Sequence, residues 1–214
     1  MSSRSEADGL KAMTSNDINV LSVGISTGGD AEIRMLEANH DRRVTATTLD
    51  QSGLYDFQYK LTENSFANRC ELRLEDISDP ALDYKEEAFD FVYARLVLHY
   101  LPAQQLEVAL KSIHRILKDS GKLFVVVRSS DTPELSPENI VSYDEMTRLT
   151  TYRSSTEKIA TRYFHTPETI TAALTENNFT IEHIDTFEED LSPGFIRNTG
   201  IWVKNNLIEV IARK

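Results

Sequence analysis

Val20-Leu21-Ser22-Val23-Gly24-Ile25-Ser26-Thr27-Gly28-Gly29-Asp30 runs from an apolar strand through a loop of small residues into a helical pattern. Small residues behind a strand let backbone N–H groups approach a ligand closely, at the positive end of the following helix. Two later strand ends finish in acids, Leu49-Asp50 and Leu74-Glu75-Asp76-Ile77. Acids at such ends suit the ribose and the amino group of a nucleoside. The strand Phe89 to Ala94 follows, with Leu96-Val97-Leu98-His99-Tyr100-Leu101-Pro102 behind it. The order and spacing of these four elements are far more specific than any one of them.

Outward from this stretch, strands and helices alternate, which argues for a mostly parallel sheet covered on both faces. Strands are expected at Val20 to Val23, Val44 to Leu49, Cys70 to Leu74 and Phe89 to Ala94, with helices at Ala31 to Asn39 and Ser52 to Asn64. The clearest helix is Pro102 to Lys118, where Leu106, Ala109, Leu110, Ile113, Ile116 and Leu117 recur at helical spacing. Asp119-Ser120-Gly121 reads as its end, and Lys122 to Val127 as a strand apolar on both faces. Residues 129–165 then show only weak helical periodicity, too long for a plain connection, and read as a functional insertion. Thr166-Pro167-Glu168 opens another helix with an N-cap, a first-turn proline and an early acid. Phe179 to Phe187 and Leu207 to Ala212 close the chain as strands. The segment between them carries Pro193-Gly194 and no helix pattern, so these two strands should run antiparallel. Residues 1–17 are polar and frame either a short leading helix or a disordered arm.

The chain has 214 residues, 23 Lys and Arg against 34 Asp and Glu, and a formal charge of −11. Its length suits one α/β domain spanning 1–214. An acidic surface repels phosphate backbones and anionic bilayers, which disfavours nucleic acid and membrane partners. The single Cys70 excludes an intramolecular disulfide and fits a reducing compartment. No apolar run is long enough for a bilayer and the N-terminus lacks a signal-peptide core, so the expected location is the cytoplasm. Five histidines and one cysteine show no metal-ligand spacing, and no metal is expected.

These elements resemble the class I S-adenosylmethionine-dependent methyltransferases, over nearly the whole chain from about Asn19 onward. The resemblance implies a doubly wound, seven-stranded Rossmann-like sheet whose last strand is antiparallel. It implies S-adenosylmethionine as cofactor and S-adenosylhomocysteine as product. By position it assigns the cofactor to Gly24, Ser26, Gly28, Asp50, Gln51, Asp76, Ile77, Ala94 and Arg95. Asp50 matches the acid on the ribose hydroxyls, and Asp76 with Ile77 the pair at the adenine. Two positions depart: Ser22 stands where the family has an acid, and Ser26 where it has a middle glycine. Glu75, beside Asp76, is an alternative for the ligand role. The implied function is methyl transfer to an oxygen or nitrogen of a small molecule, by a monomer or homodimer. Two other readings remain open: a non-catalytic protein that binds the same cofactor, and a nicotinamide-dependent oxidoreductase.

His99 carries two readings, as a packing residue and as a proton acceptor beside the sulfonium. His165 reads as a local hydrogen-bonder, and His40, His114 and His183 as helix-end or surface residues. Tyr143, Tyr152, Arg153 and Tyr163 are the candidate substrate contacts, clustered in the insertion with Phe164, Arg148 and Arg162. They form either a solvated cap with aromatic anchors or a substrate lid whose arginines pair an acidic group. The fourth strand is not followed by the Asn/Asp/Ser-Pro-Pro-aromatic motif with which the family methylates flipped bases.

Overall fold

The protein is described here by a computed structural model in which residues 3–25, 28–154, 158–191 and 203–214 are described. A leading helix α1 (Arg4–Ala12) precedes β1 (Asn19–Val23), α2 (Asp30–Ala38), β2 (Arg43–Thr48), α3 (Gln51–Glu63) and β3 (Cys70–Leu74). Then come β4 (Phe89–Arg95), a 3₁₀ turn (Leu98–Tyr100), α4 (Ala103–Ile116) and β5 (Leu117–Arg128). The last stretch holds β6 (Ile140–Tyr143), β7 (Thr150–Arg153), β8 (Ile159–Arg162), α5 (Pro167–Glu176), β9 (Thr180–Leu191) and β10 (Val203–Arg213).

Seven strands form one sheet in the order β3-β2-β1-β4-β5-β10-β9. The first five are parallel, and β10 runs antiparallel to both β5 and β9. The chain winds outward from β1 to β3, then returns to the other side of β1 with β4. Strand order therefore reverses at β1 and β4, and ligands of such sheets bind outside the carboxyl ends of the strands at that point.

Alternation along β5 sorts the core into two halves. Leu123, Val125 and Val127 join one apolar cluster with Leu106, Leu110, Ile170 and Leu174 of α4 and α5. Phe124 and Val126 join the other with Ile33, Met35, Phe57 and Leu61 of α2 and α3. Each such side chain, fully buried, contributes about 1.5–3 kcal/mol. Helix α1 docks by polar groups: Ser5 donates to Glu189 at 2.5 Å, and Arg34 pairs with Glu6, both acids being buried.

Of the two readings of the leading segment, the short helix is the one observed. Two expectations are corrected. The turn at Asp119-Ser120-Gly121 lies inside β5, where the pairing slips from Phe89 against Leu117 to Phe91 against Lys122. Ser120 there has φ +66°, so the chain bulges without leaving the sheet. Residues 129–165 are not irregular: β6, β7 and β8 form a separate antiparallel sheet, with Thr151 and Thr161 hydroxyls 3.1 Å apart across it. Four-residue strands are too short to show a period. The expected turn at Pro193-Gly194 lies outside the described residues.

Candidate active site

Gly24 ends β1 at φ +75°, a left-handed conformation that costs other residues about 1–2 kcal/mol. A Cβ on it would lie 2.7 Å from Val97 Cγ2, so glycine is required for space as well. The next amide, Ile25 N, donates to Thr47 O of β2 at 2.8 Å, which ties the loop to the neighbouring strand. At the far end Gly29 caps α2 at φ +58°, its missing side chain facing the Phe57 ring. Lys60 of α3 reaches across, donating to Gly28 O at 2.7 Å and pairing with Asp30. Ser26, the remaining loop candidate, lies outside the described residues. Ser22 is buried and donates to Glu32 of α2 at 2.6 Å. Glu32 thus brings a carboxylate to the position where β1 itself has none, and burial raises its pKa. Neither Glu32 nor Lys60 was a sequence candidate, since both sit in ordinary helical stretches.

The acids sit at the expected strand ends. Asp50 is exposed and caps α3, accepting from Ser52 N at 3.0 Å and Ser52 Oγ at 2.8 Å. The Ser52 hydroxyl holds its pKa below the usual carboxylate value. Gln51 is exposed beside it. Asp76 is half-buried and accepts from Ser78 N and Oγ at 2.9 and 2.7 Å. Its rival Glu75 is engaged elsewhere, taking the Tyr84 hydroxyl at 2.5 Å with Arg73 at 3.7 Å. Ile77 and Ala94 are buried in the core beneath. Arg95 turns away from the strand ends: its guanidinium donates to Ser3 and Ser5 of the leading segment and lies 3.5 Å from Glu189.

Beyond β4, Val97 packs on Gly24 and leads into the 3₁₀ turn that carries His99. His99 is fully buried, with its ring 4.6 Å from that of Tyr100 and neither nitrogen hydrogen-bonded. Burial first, then Arg128, Arg162 and His165, hold its pKa well below the ordinary value, so the ring is neutral. His165 is also fully buried and stacks on Tyr163 at 4.0 Å. Its nitrogens have no partner either, so it is not the local hydrogen-bonder expected.

The four insertion candidates are not gathered at one point. Tyr143 and Arg153 are exposed, Tyr163 is half-buried, and Tyr152 is buried edge-on to Phe164 at 5.2 Å. A groove of about 490 Å³ between α4 and α5 takes in Arg148 and Tyr163 but not the glycine loop, Asp50 or Asp76. No group of metal-ligating side chains occurs among the described residues.

The turn, the two acids and the switch point are where a nucleoside cofactor would lie. Residues 21–125 match a family model described as a methyltransferase domain. That segment is a methyltransferase domain, and the fold around it is that of the S-adenosylmethionine-dependent methyltransferases. A SAM-dependent methyltransferase from Methanosarcina mazei superposes with a TM-score of 0.75 at 16% identity, over 95% of each chain. The Burkholderia thailandensis 1,6-didemethyltoxoflavin-N1-methyltransferase, with its substrate and S-adenosylhomocysteine bound, gives 0.63 at 19% identity, over 99% of this chain and 78% of that one. The PKS-NRPS hybrid synthetase cheA of Chaetomium globosum is 26% identical over 118 residues, 54% of this chain and 2% of the synthetase. The family's cofactor, S-adenosylmethionine, fits the residues present: a glycine turn that admits no Cβ, an exposed acid after β2 and a half-buried one after β3.

Proposed function

We propose that this chain transfers the methyl group of S-adenosylmethionine to an oxygen or nitrogen of a small molecule. The observation that carries the reading is the convergence of the Gly24 turn, Asp50 and Asp76 at the strand ends around the switch point. Asp50 accepts the two ribose hydroxyls, with Gln51 beside it. Asp76 accepts the adenine amino group over Ile77, and Ala94 floors the crevice. Arg95 acts from behind, holding the leading helix over that floor. The bound cofactor supplies an electrophilic methyl on a positive sulfur. The protein's share is alignment and exclusion of water.

The β6–β8 sheet caps the acceptor, with Tyr152 and Tyr163 as its inner residues and Tyr143 and Arg153 at its rim. His99, neutral and carried by the turn that follows Val97, receives a proton where the acceptor arrives protonated. The charge of −11 argues against nucleic acid. No helix among the described residues is long and apolar enough to cross a membrane. A monomer or homodimer in a reducing cytoplasm fits the lone, half-buried Cys70. A non-catalytic binder is the second reading, and Ser22 in place of an acid favours it.

Incubation with S-adenosylmethionine and a panel of small phenols, amines and acids tests the reading. Release of S-adenosylhomocysteine that depends on one acceptor class supports transfer. Tight cofactor binding with no release across the panel favours the second reading.

A further inference from the structure

Side-chain nitrogens and oxygens that are buried without a partner are rare in proteins, and each calls for a reason. Six such atoms belong to His99, His165, Arg128 and Arg162. The backbone draws these four together. Tyr163 N donates to His99 O at 2.8 Å, His165 N to Arg128 O at 2.9 Å, and Ser130 N to His165 O at 2.7 Å. The end of β5, the turn after β4 and the strand-like run out of the β6–β8 sheet therefore meet in one corner. Val97, against Gly24, joins that corner to the cofactor turn.

The corner has too many donors. Each neutral histidine offers one N–H and one lone pair, and each arginine Nε offers an N–H alone. That makes four unused donors against two unused acceptors. Charge points the same way. Arg128 pairs with Glu134, but Arg162 has no carboxylate partner among the described residues. Its guanidinium rests 3.9 Å over the Tyr100 ring and donates to the Tyr100 hydroxyl at 3.3 Å. Tyr100 is 41% exposed, so the Arg162–Tyr100 pair is the solvent-facing end of the corner, while both histidines are fully buried. Tyr152, Tyr163 and Phe164 supply aromatic walls.

An acceptor-only anion of planar shape complements this set. A carboxylate takes two parallel hydrogen bonds from the edge of one guanidinium, and an aromatic body suits the tyrosine and phenylalanine faces. We propose that Arg128, Arg162 and His165, in the corner beside His99, bind the carboxylate of a small aromatic acid, which is the methyl acceptor. Only the word acceptor rests on the function proposed above; the carboxylate site stands on its own geometry.

The test is calorimetric titration of the whole chain with 4-hydroxybenzoate, 4-hydroxybenzamide and inorganic phosphate, with and without saturating S-adenosylhomocysteine. The benzoate should bind at least about 10-fold more tightly than the amide, as expected where a charge-assisted pair is lost. Arg162→Met should remove about 10- to 100-fold of benzoate affinity while amide and S-adenosylhomocysteine affinities stay put. His165→Asn, which leaves both arginines in place, should weaken benzoate by a smaller factor. Equal binding of acid and amide overturns the proposal, as do binding of neither, tighter binding of phosphate, or an Arg162→Met affinity equal to that of the parent. If the acid is discriminated but S-adenosylhomocysteine does not bind, the carboxylate site stands and the methyl-transfer reading falls.

Discussion

Gly24→Ala probes the turn on which the cofactor site depends. At φ +75° an alanine is strained by about 1–2 kcal/mol. Its methyl carbon would also sit 2.7 Å from Val97 Cγ2, where apolar carbons prefer roughly 3.5–4.0 Å. Forcing a methyl into such space costs about 1–3 kcal/mol. Together the variant should lose about 2–5 kcal/mol, a drop in melting temperature of roughly 5–15 °C for a chain of this size. Part of the strain can be relieved by moving the turn, which loosens the bond from Ile25 N to Thr47 O and distorts the crevice beside it. Calorimetry should accordingly show S-adenosylhomocysteine affinity down by about 10-fold or more. Val97→Ala in the Gly24→Ala background removes the overlap and leaves the backbone strain, so it should recover part of the stability lost. Differential scanning calorimetry on the four proteins of this cycle measures the coupling. A Gly24→Ala protein that melts with the parent and binds S-adenosylhomocysteine equally would refute both the strain and the role of the turn.

Asp50→Ala should weaken S-adenosylhomocysteine about 10- to 100-fold, whereas Asp50→Ser, which keeps a helix-capping oxygen, should restore the fold's stability and not the affinity. Calorimetry on the pair decides, and equal affinity in all three proteins removes Asp50 from the ribose. Burial, with Asp8, Asp185 and Glu189 nearby, raises the pKa of Glu209 to about 7, while Arg4 opposes them. The folded form then keeps a proton that the unfolded form loses above about pH 4.5, so this group's contribution is full below that value and is lost as pH rises through 7. The difference in stability between the parent and Glu209→Gln should therefore change by about 1–3 kcal/mol from pH 5 to pH 8, and a constant difference rejects the shift. His99→Ala should slow transfer about 10²–10⁴-fold with cofactor affinity intact if the ring receives the proton. A lower melting temperature with an unchanged rate would assign it to packing. Hydrogen exchange over 129–165 should slow when cofactor and acceptor are both present, and equal exchange in both states rejects the cap.

The parallel half of the sheet was legible because its strands are apolar runs closed by glycine or an acid, and because α4 keeps a strict apolar stripe from Leu106 to Ile116. Residue ends were misjudged where pairing decides them. β9 extends to Leu191 because β10 pairs with it as far as Val203, and nothing local to Glu188-Glu189-Asp190 reads as a strand. The cap sheet was missed for a related reason. Its strands are four residues long, and Ile140 to Tyr143 are exposed on both faces, so no alternation exists to be read. Of the site, Gly24, Asp50 and Asp76 were legible from motif order. Glu32 and Lys60 were not, because their roles come from packing across to Ser22 and Gly28. The corner around His99 is half legible: Arg162 and the tyrosines cluster in the sequence, but Arg128 and His165 join them only through the backbone pairing of β5 with the run after β8.

The most direct measurement is a crystal structure of the chain grown with S-adenosylhomocysteine, alongside thermal shifts with that ligand and with a reduced nicotinamide dinucleotide. Ribose hydroxyls should lie on Asp50, the adenine amino group on Asp76 and the methionine end at the Gly24 turn, with stabilisation by S-adenosylhomocysteine alone. Density for the ligand elsewhere, or stabilisation by the nicotinamide cofactor instead, would contradict this assignment.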